Sequence, residues 1–178
     1  MKEIKISVKD IVEFLYGSGN LISTKGLLDR AQEGTEIHQY WQNLYQEADE
    51  KEVFCQTDYQ RDNLSLTISG RIDGVLSREG ELMIEEIKST YHDLESLELD
   101  SIPAHLAQAK IYAYIYALNH GLKRMGVVLT YIYVPDLSTK HFSHSFTLKQ
   151  LEIFFLKTIN SFLDWQEKLA QHENMRLK

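Results

Sequence analysis

The feature that most restricts the fold of this chain is a change in the spacing of its apolar residues. Over about 31–47 they recur at the helical intervals of three and four, whereas over 64–72 apolar and polar residues alternate. Helical spacing predicts an amphipathic helix, and alternation predicts a strand with one face in the core. Two similar strand patterns, over 53–59 and 82–89, are separated from this one by short turn-like segments. The sequence therefore predicts a three-stranded antiparallel meander.

Caps and composition predict the remaining elements. Ser7 with Asp10 has the spacing of a capping box that opens a short helix, which Gly17 would close, and Thr147 with Gln150 would open a long amphipathic helix. A mostly apolar helix and two strands are predicted over 103–119, 127–134 and 142–146. The order α-α-β-β-β-α-β-β-α describes a mixed α/β fold with helices flanking a mixed central β-sheet, and we expect residues 1–178 to form a single domain.

Composition excludes several classes of protein. The single cysteine, Cys55, cannot form an internal disulfide or a cysteine-rich zinc or iron–sulfur site, which favours a reducing, cytoplasmic location. The first residues lack the apolar segment of a secretion signal. No apolar run approaches the roughly 20 residues that span a membrane, so we expect no membrane association.

The net charge of −7 argues against a protein that simply coats nucleic acid. However, acidic residues outnumber basic ones over 1–100, and basic residues outnumber acidic ones over 101–178. An acidic half that holds cations and a basic half that contacts phosphate would suit metal-dependent chemistry on a phosphate backbone. The alternative is an uneven distribution of charge over solvated faces, and charge alone does not decide between the two.

The segment Gly70-Arg71-Ile72-Asp73-Gly74 contains the first candidate for chemistry. Alternation places Ile72 with the core residues and Asp73 on the opposite face of the strand. Asp-Gly is also the favoured pair of a tight hairpin turn, which is the structural alternative. The strand pattern continues through Val75, which counts against a turn, but for Asp73 alone the two interpretations are nearly balanced.

The segment Met83–Ser89 contains the second candidate. Glu86 and Lys88 are two apart in a predicted strand, so they share a face with Cα atoms roughly 7 Å apart. Glu85 points to the other face, and we expect its replacement to affect activity much less. A solvated pair at a sheet edge is the ordinary interpretation of Glu86 and Lys88. The apolar residues around them weaken it, because buried charges need partners or a metal ion.

Two helices carry further candidates. In the apolar helix, Gln108 and Tyr112 are four apart and lie on one side. In the earlier helix, His38 follows Gly34 by four. Taken separately, a core glutamine beside a tyrosine and a surface histidine are common, so neither pair predicts a site by itself.

In this order and on these elements, however, the four motifs together resemble the RecB-like branch of the PD-(D/E)XK nucleases, over about residues 31–134. The resemblance implies the restriction-endonuclease-like core and a metal-dependent DNA nuclease, with an exonuclease acting on single-stranded DNA or DNA ends as the expected activity. It also implies three catalytic residues, a set of metal ligands and two residues that position the DNA strand. The catalytic residues are Asp73, Glu86 and Lys88. The metal ligands are His38, Asp73, Glu86 and the Ile87 carbonyl. The residues that position the DNA strand are Gln108 and Tyr112. The alternative is an inactive nucleic-acid-binding module of the same fold within a helicase or repair assembly.

The chemistry of these residue types suits that reaction. Carboxylate oxygens such as those of Asp73 and Glu86 suit Mg²⁺ or Mn²⁺, and an imidazole from His38 would favour Mn²⁺. A bound ion lowers the pKa of water and polarises a phosphoryl oxygen. An ammonium group from Lys88 would orient that water and stabilise developing charge.

The opening segment 6–10 and the closing helix also resemble nuclease modules fused to DinG-like helicases. This resemblance implies a helicase domain or subunit as a partner. The phosphate-binding pattern GxxxxGK[ST] is absent from the sequence, so the motor would lie outside it. Some members of the branch hold an iron–sulfur cluster on four cysteines, and with Cys55 alone we expect no cluster here.

Overall fold

The computed structural model of the protein describes residues 1–17 and 24–176. Four helices and six strands make up most of these residues, with one short 3₁₀ turn at Leu94–Ser96. In chain order the elements are β1 (Lys2–Ser7), α1 (Val8–Tyr16), α2 (Thr24–Gln42), β2 (Glu50–Arg61), β3 (Leu64–Arg78), β4 (Glu81–Thr90), α3 (Pro103–Asn119), β5 (Arg124–Tyr133), β6 (Thr139–Thr147) and α4 (Leu148–Arg176).

The six strands form one mixed sheet in which β3 has three neighbours. The order is β1-β3-β4-β5-β6, and β2 also pairs with β3. β2 runs antiparallel to β3 along residues 64–75, so β1 and β4 must share the other edge of β3. On that edge β1 pairs in parallel with residues 64–69, and β4 pairs antiparallel with residues 74–78. Residues 70–73 therefore lie in a gap between β1 and β4.

The helices cover the two faces of the sheet unequally. α1, α3 and α4 pack around one large core, to which α3 contributes nine buried residues. On the opposite face, a smaller cluster of Ile37, Ile87 and Ile132 lies with Trp41 and Val134 packed against it. Along β4 the side chains consequently alternate between the two layers, with even-numbered residues directed toward α3 and odd-numbered residues toward α2.

The fold class and the central meander are confirmed, and two details of the prediction are wrong. The predicted order omitted β1, a six-residue strand whose residues are mostly charged or half-exposed. The helix expected over 31–47 is α2, which already includes residue 24 and ends at Gln42. It ends there because the amides of Leu44 and Tyr45 bond back to the carbonyls of Trp41 and Gln42 in a tightening turn.

Both predicted capping boxes contribute to the helix starts. The Ser7 hydroxyl accepts from the Asp10 amide at 3.0 Å, and Gly17 ends α1 with a φ of 75°. At α4, the Thr147 hydroxyl accepts from the backbone amide of Gln150, and the side-chain carbonyl of Gln150 accepts from the backbone amide of Thr147. In the part of the chain that the structure describes, we find no helix of the length and apolar character needed to cross a membrane.

Candidate active site

Asp73 lies where β3 and β4 separate. The last paired residues of these strands are Gly74 and Glu85, and beyond them β4 continues beside β5. The Asp73 carboxylate spans the opening, since its Oδ2 accepts from the Ile87 amide at 2.8 Å and its Oδ1 lies 3.8 Å from His38 Nδ1. Asp73 is therefore part of the strand and not a turn residue, and it points into the gap on the β3 edge.

Glu86 lies across this opening, on the face of β4 that α3 covers. It is 2% exposed, and its Oε2 lies 3.6 Å from Lys88 Nζ. Its Oε1 is buried and has no hydrogen-bond partner among the described residues. An unpaired buried carboxylate oxygen is costly, and native structures rarely keep one without a use. This oxygen is the clearest sign that the site is built to receive a further group.

The electrostatics of the two carboxyl groups are coupled. Burial raises the pKa of Glu86 to about 8, and the neighbouring charge of Asp73 adds to that shift, while Lys88 opposes it. Burial also raises the pKa of Asp73, against the lowering effects of His38, the Ile87 amide and Lys88. A buried carboxylate whose ionisation is further disfavoured by a neighbouring carboxylate gains from a cation placed between the two.

Lys88 is held by α3. Its Nζ donates to Gln108 Oε1 at 3.0 Å, and Gln108 Nε2 lies 3.4 Å from the Tyr112 hydroxyl. Tyr112 is 3% exposed, and a Cβ on Gly70 would come within 2.5 Å of its ring. Gly70 thus permits close contact between the β3 gap and α3. The structure brings Lys88, Gln108 and Tyr112 into one row beside Glu86.

The donor set fits a small, hard cation. Mg²⁺ is commonly bound through one or two carboxylates with water completing the octahedron, and Asp73 and Glu86 with the Ile87 carbonyl could supply such a set. Within residues 1–17 and 24–176, no group of three or more His, Cys, Asp or Glu side chains is arranged to hold a metal ion. His38 reaches Asp73, but the structure does not assemble His38, Asp73 and Glu86 into one such group, so direct ligation by His38 stays a prediction.

Two residues near Asp73 were missed by the sequence analysis. Gln42 is 5% exposed, and its Nε2 donates both to the Asp73 carbonyl at 2.8 Å and to Glu52 Oε1 at 2.9 Å. Glu52 has a φ of 53°, an uncommon backbone conformation for a residue with a side chain. Gln42 follows His38 by four, so helical spacing already placed the two on one side of α2.

On the other face of β4, Glu85 forms a network that the sequence analysis also missed. Glu85 is 2% exposed and accepts hydrogen bonds from Trp41 Nε1 at 3.0 Å, from the Tyr45 hydroxyl at 2.6 Å and from Thr130 Oγ1 at 2.5 Å. It lies on the α2 side, as alternation predicts, with its carboxyl fully engaged. Gly74 permits this arrangement, because a Cβ there would come within 2.0 Å of the Tyr45 hydroxyl.

Comparison with known proteins gives a family match over most of the chain. A model of the PD-(D/E)XK nuclease superfamily matches residues 14–176. The solved structure of SSO0001 is 17% identical, with a TM-score of 0.54, over 87% of this chain and 75% of that one. A protein from Eubacterium rectale, named provisionally as an exonuclease, is 11% identical with a TM-score of 0.52, over 89% of this chain and 80% of that one. No curated protein matches. At these identities the two structures support the fold alone.

Proposed function

Because the chain belongs to the PD-(D/E)XK nuclease superfamily, we propose that it is a metal-dependent DNA nuclease that hydrolyses phosphodiester bonds. The observation that carries this proposal is the unpaired, fully buried Oε1 of Glu86, which lies beside the charge of Asp73. A cation would satisfy this oxygen, and nucleases of this superfamily generally use divalent metal ions. Mg²⁺ and Mn²⁺ are the ions that suit these ligands.

Each residue of the site has a distinct part in the proposed reaction. Asp73, Glu86 and the Ile87 carbonyl would hold the ion, with His38 as a further ligand beside Asp73. A bound divalent ion lowers the pKa of water and polarises the phosphoryl oxygen under attack. Lys88 directs its ammonium group at the charge that develops on the phosphate, and Gln108 keeps that ammonium in place through the bond at 3.0 Å.

The finer assignment rests on the motifs. The spacing of Gly34 with His38, and of Gln108 with Tyr112, favours the RecB-like branch, in which Gln108 and Tyr112 position the DNA strand. The provisional naming of the Eubacterium rectale protein as an exonuclease favours exonuclease action. The resemblance to the RecB-like branch favours single-stranded DNA or DNA ends as the substrate. Segment 6–10 forms the end of β1 and the start of α1, and its resemblance to modules fused to DinG-like helicases favours a helicase domain or subunit as partner.

Digestion of end-labelled DNA tests the proposal directly. With Mn²⁺ the protein should shorten labelled single-stranded DNA from an end and release short products, and EDTA should stop the reaction. A blunt duplex with the same label measures strand preference, and a circular single strand separates exonuclease from endonuclease action. Intact linear single strands and duplexes after long incubation with Mn²⁺ or Mg²⁺ would reject the proposal.

A melting experiment separates this proposal from an inactive binding module that has lost the metal site. Mn²⁺ at about 100 times its dissociation constant stabilises a folded protein by about 2.7 kcal/mol, which for a chain of this size raises Tm by roughly 5–10 °C. We expect that shift in the wild type and no shift in Asp73→Ala. Equal behaviour of the two proteins would favour the inactive module.

A further inference from the structure

The face of β2 that turns away from the core carries one side chain that packing does not explain. Its exposed residues are polar or charged, apart from Phe54, which is 60% exposed. Val53 and Cys55, on either side of it, turn into the core. A single exposed aromatic residue is ordinary on a protein surface, so exposure alone does not make Phe54 a binding residue. Its neighbours decide whether it forms part of a site.

Directly across the ladder from Phe54 lies Arg71, which is also exposed. Side chains of directly paired residues share a face of the sheet, with Cβ atoms about 5 Å apart. An aromatic ring and a guanidinium group are therefore presented side by side to solvent. This combination suits a nucleotide, because the ring can stack on any base and the guanidinium can pair with a phosphate.

The pair lies next to the candidate active site. Arg71 precedes Asp73 by two residues in β3, so their Cα atoms are about 7 Å apart. The acidic neighbour on this face, Glu52, accepts a hydrogen bond from Gln42 at 2.9 Å, which engages its carboxyl on the α2 side. A DNA strand whose phosphate reaches Asp73 would thus bring an adjacent nucleotide over Phe54 and Arg71.

We propose that Phe54 and Arg71 form a platform for one nucleotide of a single-stranded DNA substrate, next to the phosphate that is cut. The platform rests on the proposed nuclease function and assigns to Phe54 and Arg71 the recognition of an unpaired base. A duplex would gain nothing from Phe54, because the faces of its bases are already stacked on one another.

Binding of fluorescent oligonucleotides tests the platform without catalysis. In EDTA, and again in Ca²⁺, a thymidine 15-mer should bind Phe54→Ala about tenfold more weakly than wild type, and Phe54→Trp should restore the affinity. A 15-mer of abasic deoxyribose phosphate should bind wild type and Phe54→Ala equally, because it offers no base to stack. Arg71→Ala should weaken binding of both oligonucleotides. It should also reduce the slope of log affinity against log salt concentration by about one, as expected for the loss of one phosphate contact.

Trp165→Ala is the matched control. Trp165 is 51% exposed on α4 and has Lys168 over its ring, so it also pairs an aromatic residue with a cation. We expect Trp165→Ala to bind both oligonucleotides as wild type does. Phe54→Ala should melt within about 2 °C of wild type, since an exposed side chain contributes little to stability.

The outcomes distinguish the platform from the nuclease proposal. The platform would be overturned if wild type and Phe54→Ala bound the thymidine 15-mer equally, or if wild type showed no measurable binding. It would also be overturned if Phe54→Ala lost as much affinity for the abasic strand, or if Trp165→Ala showed the same loss. If wild type cuts DNA but shows no base-dependent effect of Phe54, the platform alone fails. If the base-dependent effect is present but no cleavage occurs with Mn²⁺, the nuclease proposal fails and Phe54 and Arg71 are a binding site for single strands without an adjacent cut.

Discussion

Replacing Lys88 with alanine should slow DNA cleavage by about a thousandfold, which is the scale of losing one group that stabilises charge in a transition state. The Lys88 ammonium lies 3.6 Å from Glu86 Oε2 and donates to Gln108. It is therefore held beside the proposed metal ligands, and no other group takes its place when the side chain is removed. Single-turnover digestion of end-labelled single-stranded DNA in Mn²⁺ measures the rate of the chemical step. Wild-type turnover in Lys88→Ala would rule out the role assigned to it.

Two further variants make this result specific. Asp73→Ala should be as inactive as Lys88→Ala, but only Asp73→Ala should also lose the rise in Tm that Mn²⁺ produces. Lys110→Ala is the matched control, because Lys110 lies on α3 with its ammonium over the Phe146 and Phe154 rings. It is a half-buried lysine on the same helix as Gln108, and its replacement should leave cleavage unchanged. A similar loss in Lys110→Ala would indicate damage to α3 and not to the chemistry.

Local patterns predicted the parts of the candidate site that depend on neighbours in sequence. Alternation alone places Glu86 and Lys88 on one face of β4, and helical spacing alone places Gln108 and Tyr112 on one side of α3. These side chains meet in the structure through Lys88 and Gln108. The pattern around Asp73 left a turn open as an alternative, and only the pairing of Gly74 with Glu85 shows that β3 continues past it.

The features that were missed depend on registers between distant segments. The gap at residues 70–73 exists because β1 pairs with residues 64–69, and β1 is too short and too polar to be recognised from its own sequence. The pairing of Phe54 with Arg71 follows from the register of β2 on β3, which no spacing within either strand reveals. The same holds for Glu85, whose partners are 40 or more residues away in the chain.

Glu85→Ala should destabilise the protein more than any other single change considered so far, although Glu85 lies on the face of β4 that turns away from the site. The replacement leaves the indole N–H of Trp41 and the Tyr45 hydroxyl without an acceptor, whereas the Thr130 hydroxyl keeps His141 Nδ1 as a partner at 3.0 Å. Each unsatisfied donor costs about 1–3 kcal/mol, so we expect the two to cost about 2–6 kcal/mol, which corresponds to a fall in Tm of roughly 4–24 °C.

Glu86→Ala, one residue along the same strand, provides the contrast. Both glutamates are 2% exposed, but Glu86 leaves one oxygen unpaired, whereas the Glu85 carboxyl is fully engaged. Removing Glu86 in EDTA should therefore cost little stability, because it also removes a buried group that is poorly satisfied.

In Mn²⁺ the same variant should lose cleavage, while Glu85→Ala, assayed well below its lowered Tm, should retain most of it. Chemical denaturation in EDTA and digestion in Mn²⁺ measure the two properties separately. An inactive but stable Glu85→Ala beside an active Glu86→Ala would mean that the two faces of β4 have been assigned the wrong way round.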